Sequence, residues 1–302
     1  MKLLIAGGTG FVGRHLSAEL LARGHDVAVM SRHPSDDAGA RQVAGDVADP
    51  ASLGRPLDGV DAAYYLVHSL DRPDFVEHDR AGAQAFGSAA AAAGVSRLIY
   101  LGGLGNSSDD LSPHLRSRRD VEEILSQHVP TTALRAGIVV GDGGSSWEIL
   151  CQLIERLPIM ITPRWVQTTT QPIALADVVS LLAKSLDVTV DGSDHFDVGV
   201  PEPMSYKQML ELVAKEMHRR LLIVPVPVLS PALSSHWLRL ITDVDLHTAR
   251  SLVDSMTNEV VVTERRLEAL TGHRPMTFQT AARQALAQRG RRKASAAGAH
   301  AG

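Results

Sequence analysis

Lys2-Leu3-Leu4-Ile5-Ala6-Gly7-Gly8-Thr9-Gly10-Phe11-Val12-Gly13 is the stretch that decides the fold. An apolar run that ends in glycines predicts a short buried parallel strand over 2–6. Val12, Leu16, Leu20 and Leu21 then share one helical face, predicting a helix over 11–23 that Gly24 terminates. His25 to Ser31 reads as the next strand. Strand, glycine turn, helix and strand within about thirty residues make a βαβ unit. The glycines are spaced G-x-x-G-x-x-G. Such a turn needs positive φ, a bare backbone against which a pyrophosphate can lie, and a close helix–strand contact. At the head of a helix, free N–H groups and the dipole favour anions. The context predicts that Gly7, Gly8, Thr9, Gly10, Phe11, Val12 and Gly13 hold the phosphates of a dinucleotide; the alternative is a tight turn with no ligand.

Working outward, the alternation continues. Strands are predicted at 41–46, 60–67, 97–101 and 131–140, with helices near 50–53 and at 75–94 and 113–127. Strands alternating with helices imply a parallel sheet covered on both faces, and right-handed crossovers restrict it to the doubly wound class. After 141–146 the pattern weakens. Helices are predicted at 146–157, 177–186, 206–218, 233–240, 245–256 and 278–288, with a strand at 195–198 and an irregular stretch at 161–172. The expected fold is α/β, a Rossmann-type doubly wound parallel sheet with a smaller, mainly helical C-terminal cap. Residues 1–145 form the nucleotide-binding domain, 173–200 return to it, 146–288 make the cap, and the Arg/Lys/Ala/Gly-rich 289–302 read as a disordered tail.

Composition agrees with a globular chain. Of 302 residues, 44% are hydrophobic and 21% charged, and 30 basic against 34 acidic residues leave a formal charge of −4. That balance, with only 4% aromatic residues, gives no electrostatic or stacking basis for nucleic-acid binding. The lone Cys151 forms no internal disulfide and suggests a reducing, cytoplasmic setting. The apolar start stops at Gly7, too soon for a signal peptide, and no charge-free apolar run of about 18 residues suggests a transmembrane segment. Zinc-ligand spacing, a phosphate-binding P-loop and a serine nucleophile elbow are all missing. The expected partner is a small molecule; no oligomer interface can be read from the sequence.

Several residues are candidates for the site. The second strand ends Ser31-Arg32-His33 with no acidic residue to take a ribose 2′-hydroxyl. Arg32 there suits a 2′-phosphate, with Ser31 adding a hydrogen bond, so NADP(H) is favoured over NAD(H); a solvated surface arginine is the alternative. Asp46 is either at the adenine edge or a turn residue. Val67 and His68 follow the fourth strand, where ligands sit in such sheets. Arg164 and Trp165 either wall the substrate side or belong to an ordinary loop.

With these residues in hand, the chain resembles the short-chain dehydrogenase/reductase superfamily, particularly its extended and atypical, NmrA-like branches. The glycine turn is one anchor. Ser112-Pro113-His114-Leu115-Arg116-Ser117-Arg118 is similar to the family's S-P-Y-x-x-S-K, Arg135-Ala136-Gly137 to its R-P-G, and the segment ending at Asp177 to a further family stretch. The resemblance implies a catalytic Tyr, Lys and Ser, and here these fall on His114, Arg118, and Gly102 or Gly103. His114 is then a candidate general acid, titrating near its ordinary value of about 6.5. Arg118 is a candidate cofactor or substrate contact that relays no proton. Gly103 offers only backbone, and Ser107 is placed to reach in. Two readings follow: an NADP(H)-dependent oxidoreductase acting on a carbonyl, quinone or conjugated alkene, or a noncatalytic NADP(H)-binding sensor or assembly factor.

Overall fold

In the computed structural model, residues 1–35, 39–105, 110–225 and 246–299 are described. The strands of the main sheet are β1 (Lys2–Ala6), β2 (Asp26–Ser31), β3 (Arg41–Ala44), β4 (Ala62–Tyr65), β5 (Arg97–Gly103) and β6 (Thr131–Ala136). Their connections include α1 (Phe11–Ala22), α2 (Gly54–Leu57), α3 (Phe75–Ala92) and α4 (Pro113–His128). Beyond β6 come β7 (Val139–Val140), α5 (Ser145–Arg156), β8 (Ile159–Thr162), β9 (Thr169–Thr170), β10 (Ile173–Ala174) and α6 (Leu175–Lys184). The chain ends through β11 (Asp194–Val198), β12 (Met204–Ser205), α7 (Tyr206–Glu216), β13 (Leu222–Pro225), α8 (Leu246–Ser255), α9 (Arg266–Thr271) and α10 (Phe278–Ala299).

The seven-stranded sheet runs β11-β6-β5-β4-β1-β2-β3, and its pairs are all parallel. Period-2 alternation sends neighbouring residues to opposite faces. Leu3, Ile5, Tyr64 and Ile99 pack with Leu16 and Leu20 of α1 and Leu181 and Leu182 of α6. Leu4, Ala6, Tyr65, Leu98 and Tyr100 pack with Phe86 of α3 and Leu125 of α4. Strand order reverses between β1's neighbours β2 and β4, and a crevice at such a point, outside the carboxyl ends of the strands, is where ligands bind in this architecture.

Four expectations need correction. The strand expected over 131–140 breaks after Ala136: a Cβ on Gly137 would lie 2.8 Å from the Gln171 carbonyl oxygen, and the chain leaves the sheet to pair β7 with β10. The segment expected to be irregular holds β8, in parallel register with β13, and β9, paired with β12. The tail expected to be disordered continues as helix α10 to Ala299, with 300–302 outside the described residues. Two of its arginines tie it to the cap: Arg289 is buried and bonds Glu148 and Glu155 of α5, while the exposed Arg292 bonds Asp142 and Glu148. The strand expected over 60–67 is shorter, covering only Ala62–Tyr65. The helix expected over 233–240 lies outside the described residues.

The cap has its own core. Trp147, Ile149, Cys151 and Ile154 of α5 pack with Met209 and Val213 of α7 and with Phe278, Ala282 and Ala285 of α10. Among the described residues, no helix is long and apolar enough to cross a membrane.

Candidate functional site

The glycine turn is built on two close approaches. Gly7 has φ +82°, and a Cβ there would come 2.8 Å from the Leu66 carbonyl group, so the turn abuts the exit of β4. A Cβ on Gly13 would collide with the Gly7 carbonyl oxygen. The Gly10 N–H closes the turn on that oxygen at 3.1 Å. Gly10 caps α1 without a side-chain bond, and Thr9 and Gly10 are exposed. The result is a bare cradle of first-turn N–H groups that fits a pyrophosphate.

Towards the adenosine end of such a ligand, Ser31 Oγ accepts the His33 N–H at 3.2 Å. Arg32 is exposed and forms no ion pair among the described residues. Asp46 is a turn residue: its Oδ1 accepts the Ala48 N–H at 2.9 Å, and its own N–H reaches Ser52 Oγ at 2.9 Å.

A cavity of about 440 Å³ runs from this cradle to the cap. Gly7, Gly10, Phe11, Val12 and Gly13 line one end. His68, Gly103, His114 and Arg118 line the middle, and Leu104, Leu115, Leu252, Met256 and Val260 give it an apolar far wall. Gly8 and Val67 stand behind this lining, Gly8 buried and Val67 half-buried. Trp165 packs in the cap core, edge-on to Tyr206 at 6.1 Å, and it is Tyr206 that reaches the cavity. Arg164 opens a short 3₁₀ turn before it. Ser107 lies outside the described residues.

Helix α4 delivers the central pair. Ser112 caps it, accepting the Leu115 N–H at 3.3 Å, with Pro113 in the first turn. One turn apart, His114 and Arg118 then share a face. The basic cluster around them separates by direction. Arg116 bonds Asp110 and Arg119 bonds the Gly105 carbonyl, while Arg118 turns inward, only 7% exposed. No carboxylate lies within ion-pair distance of Arg118 among the described residues. Behind it Asp79 is buried; burial raises its pKa, opposed first by the Arg118 charge and then by the Ser69 and Ser117 hydroxyls. The Tyr100 hydroxyl donates to the Arg118 carbonyl at 3.1 Å.

His114 corrects the expectation of a near-neutral acid. Burial first, then the charges of Arg118 and His68, hold its imidazole well below the ordinary value. Its Nδ1 lies 2.9 Å from Ser255 Oγ, and its Nε2 lies 3.5 Å from the donating Arg118 Nε. Pocket walls, then the Arg118 charge, also push His68 down. The His68 side chain is exposed on the cavity side, so water softens the first cause and leaves repulsion by Arg118 as the firmer one. Both imidazoles are neutral at pH 7.

The two glycines at the family's serine position are there for space. A Cβ on Gly102 would meet Tyr100 Cε1 at 2.9 Å, and one on Gly103 would meet Leu115 Cδ2 at 3.0 Å and Arg118 Cγ at 3.3 Å. Arg135 of the R-A-G segment is not in the cavity but forms a buried two-pronged pair with Glu122. Asp177 accepts from the His273 Nε2–H at 3.0 Å and from the Met276 N–H at 2.9 Å, tying α6 to the segment before α10. Cys151 is buried and its thiol is pushed up to about 12 by that burial. Among the described residues no cluster of side chains suits a metal ion. The sequence reading missed Ser255, Thr248, Leu252, Met256 and Val260; the helix over 245–256 was visible, but not its docking on α4 or the bridge that places Val260 beside Thr170.

Residues 7–137 match the model of the NAD(P)H-binding family. The chain is 24% identical over 236 residues to an uncharacterised protein of Mycobacterium tuberculosis (strain ATCC 25618 / H37Rv), covering 77% of this chain and 25% of that protein. It therefore spans about a quarter of the length of the mycobacterial relatives it matches. It is 30% identical over 189 residues to a ceramide reductase of Caulobacter vibrioides (strain NA1000 / CB15N), covering 60% of this chain and 58% of that enzyme. Among solved structures, the triphenylmethane reductase of Citrobacter sp. complexed with NADP(H) aligns with a TM-score of 0.75 at 16% identity, over 94% of this chain and 100% of that one. At that identity the structural likeness speaks for the fold.

The neutral His114 makes stability depend on pH. Its folded pKa lies below the unfolded value of about 6.5, so its contribution is present above pH 6.5 and is lost as pH falls below that. Denaturant unfolding of the wild type should weaken from pH 7 to pH 5. His114→Gln should lose less stability over that interval. Identical acid dependence in the two proteins would show that His114 is not held neutral.

Proposed function

We propose that the chain, whose residues 7–137 match the NAD(P)H-binding family model, is a member of the short-chain dehydrogenase/reductase superfamily and an NADP(H)-dependent reductase of a small, neutral, largely apolar carbonyl, quinone or conjugated alkene. The observation that carries this reading is one continuous cavity. It joins a bare glycine cradle to a buried guanidinium, Arg118, with no ion pair among the described residues, and then to an apolar wall.

Each residue has a part in this reading. The cradle from Gly7 to Gly13 binds pyrophosphate through backbone N–H groups. Ser31 and Arg32 take a 2′-phosphate, for which an unpaired exposed guanidinium is a suitable charge-assisted partner. Arg118 donates to the ribose hydroxyls next to the nicotinamide ring; a buried guanidinium without a carboxylate gains most from such acceptors. The bound dinucleotide supplies the hydride. His114 holds Arg118 and does not act as the acid, because the ring is neutral and both of its nitrogens are engaged. The proton comes from water in the cavity, oriented by the neutral His68 on its wall. Leu104, Leu115, Leu252, Met256 and Val260 hold the substrate and exclude bulk water from it, so positioning provides most of the rate. The reductase names of the Caulobacter relative and the Citrobacter neighbour support hydride transfer as the reaction class. The missing Tyr, Lys and Ser favour the competing reading, a noncatalytic NADP(H)-binding sensor.

Label transfer separates the two. NADPH deuterated at the transferable position is mixed with the protein and a metabolite extract, and products are searched by mass spectrometry. A deuterated product is expected. Cofactor binding by titration with no labelled product would replace the reductase with the sensor. Arg32→Ala should weaken NADPH binding about tenfold or more and NADH binding less than about twofold. Equal losses would remove Arg32 from the 2′-phosphate site.

A further inference from the structure

Three polar side chains from two distant parts of the chain form one hydrogen-bonded line at the centre of the cavity. Arg118 Nε lies 3.5 Å from His114 Nε2, and His114 Nδ1 lies 2.9 Å from Ser255 Oγ. Ser255 is the last residue of α8, in the cap, 141 positions along the chain from His114. Its Oγ also lies 2.8 Å from the Ser251 carbonyl oxygen and 3.2 Å from Ser112 Oγ.

The donors and acceptors in this line are consistent with one tautomer of His114. A guanidinium has donors and no acceptor, so His114 Nε2 must be bare to face Arg118. The single proton of the neutral ring is then on Nδ1, the position a free imidazole favours less. That proton needs an acceptor, and Ser255 Oγ is one, because its own hydrogen goes to the Ser251 carbonyl. Ser112 Oγ accepts the Leu115 N–H and has its hydrogen left for Ser255, which completes the serine oxygen with one bond donated and two accepted. In the other tautomer an N–H on Nε2 would point at the Arg118 N–H. A doubly protonated ring would do the same and add like charge.

We propose that Ser255 is a positioning residue: it keeps the His114 proton on Nδ1, so that the bare Nε2 holds Arg118 with its terminal NH₂ groups free for the cofactor ribose. The line positions Arg118 and leaves the proton to water, with the cap helix providing its fixed end. A long, flexible side chain is thereby held in one orientation before the ligand arrives, and affinity gains from that preorganisation. Ser112, the cap of α4, donates to the same serine, and the Asn258 side chain accepts the Ser112 N–H and donates to the Asp110 carbonyl. The seating of the 255–258 segment and the orientation of Arg118 are therefore one structural event. The proposal rests on the reading of Arg118 as a cofactor contact, but its first test does not.

The test is ¹⁵N NMR of the full chain with ¹⁵N-labelled histidine at pH 7.5, His114 being assigned by its loss in His114→Gln. The wild type should show a protonated Nδ1 and a bare Nε2 at His114. A ring protonated on Nε2, or on both nitrogens, would overturn the proposal without any variant. Ser255→Ala should move the proton to Nε2 and weaken NADPH binding by about tenfold, and Ser255→Thr should keep both near wild type. If Ser255→Ala changes the tautomer but not the affinity, Ser255 does not position Arg118 and the proposal falls. If Ser255→Ala leaves the tautomer unchanged, the proposal falls as well. Absence of NADPH binding by the wild type would instead overturn the functional reading, while the wild-type tautomer still decides the hydrogen-bonded line.

Discussion

A guanidinium removed from water and not matched by a carboxylate is the constraint around which the site is arranged. Arg118 is 7% exposed, and among the described residues its Nε is met by an imidazole nitrogen rather than an anion. Placing such a charge in a protein interior costs free energy unless other groups stabilise it. The structure answers in two ways. Asp79, buried behind it, offers a carboxylate at longer range, and the cavity in front gives the remaining donors access to a ligand. Burial, with the same charge adding to it, holds the His68 and His114 imidazoles below their ordinary value, so among the described residues the cavity sets a cation beside two uncharged rings.

That charge also accounts for what is missing. A serine at the end of β5 would compete for space with Leu115 and Arg118 of α4, and the chain has glycines there instead. In this chain α4 lies close against the glycines that end β5, and the Nε of Arg118 meets the histidine one turn earlier on the same helix. Chemistry in such a site relies on holding the reactants in place and on preorganised donors.

The parts of this architecture that were legible in the sequence are those written in local chemistry. A left-handed φ at Gly7 and the helix contact at Gly13 leave a glycine signature that only a narrow class of turns needs. Ser112-Pro113 announces a helix start, and the strand–helix alternation announces the parallel sheet. What was not legible depended on distant partners. Gly137 looked like part of a strand, but the Gln171 carbonyl decides where that strand ends. The segment after 288 read as disordered because the partners of Arg289, Glu148 and Glu155, lie more than 130 positions away. His114 looked like an acid because a reference pKa takes no account of the cap and the cation that enclose it. Ser255 carried no signal at all until α8 was seen against α4.

The central claim is that Arg118 holds the nicotinamide-side ribose of a bound dinucleotide, and paired titrations of Arg118→Met test it most directly. NADPH is compared with adenosine 2′,5′-bisphosphate, which has the adenosine end but lacks that ribose. The account predicts that the variant loses about tenfold or more in NADPH affinity and binds the bisphosphate as the wild type does. Equal losses for the two ligands, or no loss for NADPH, would contradict it.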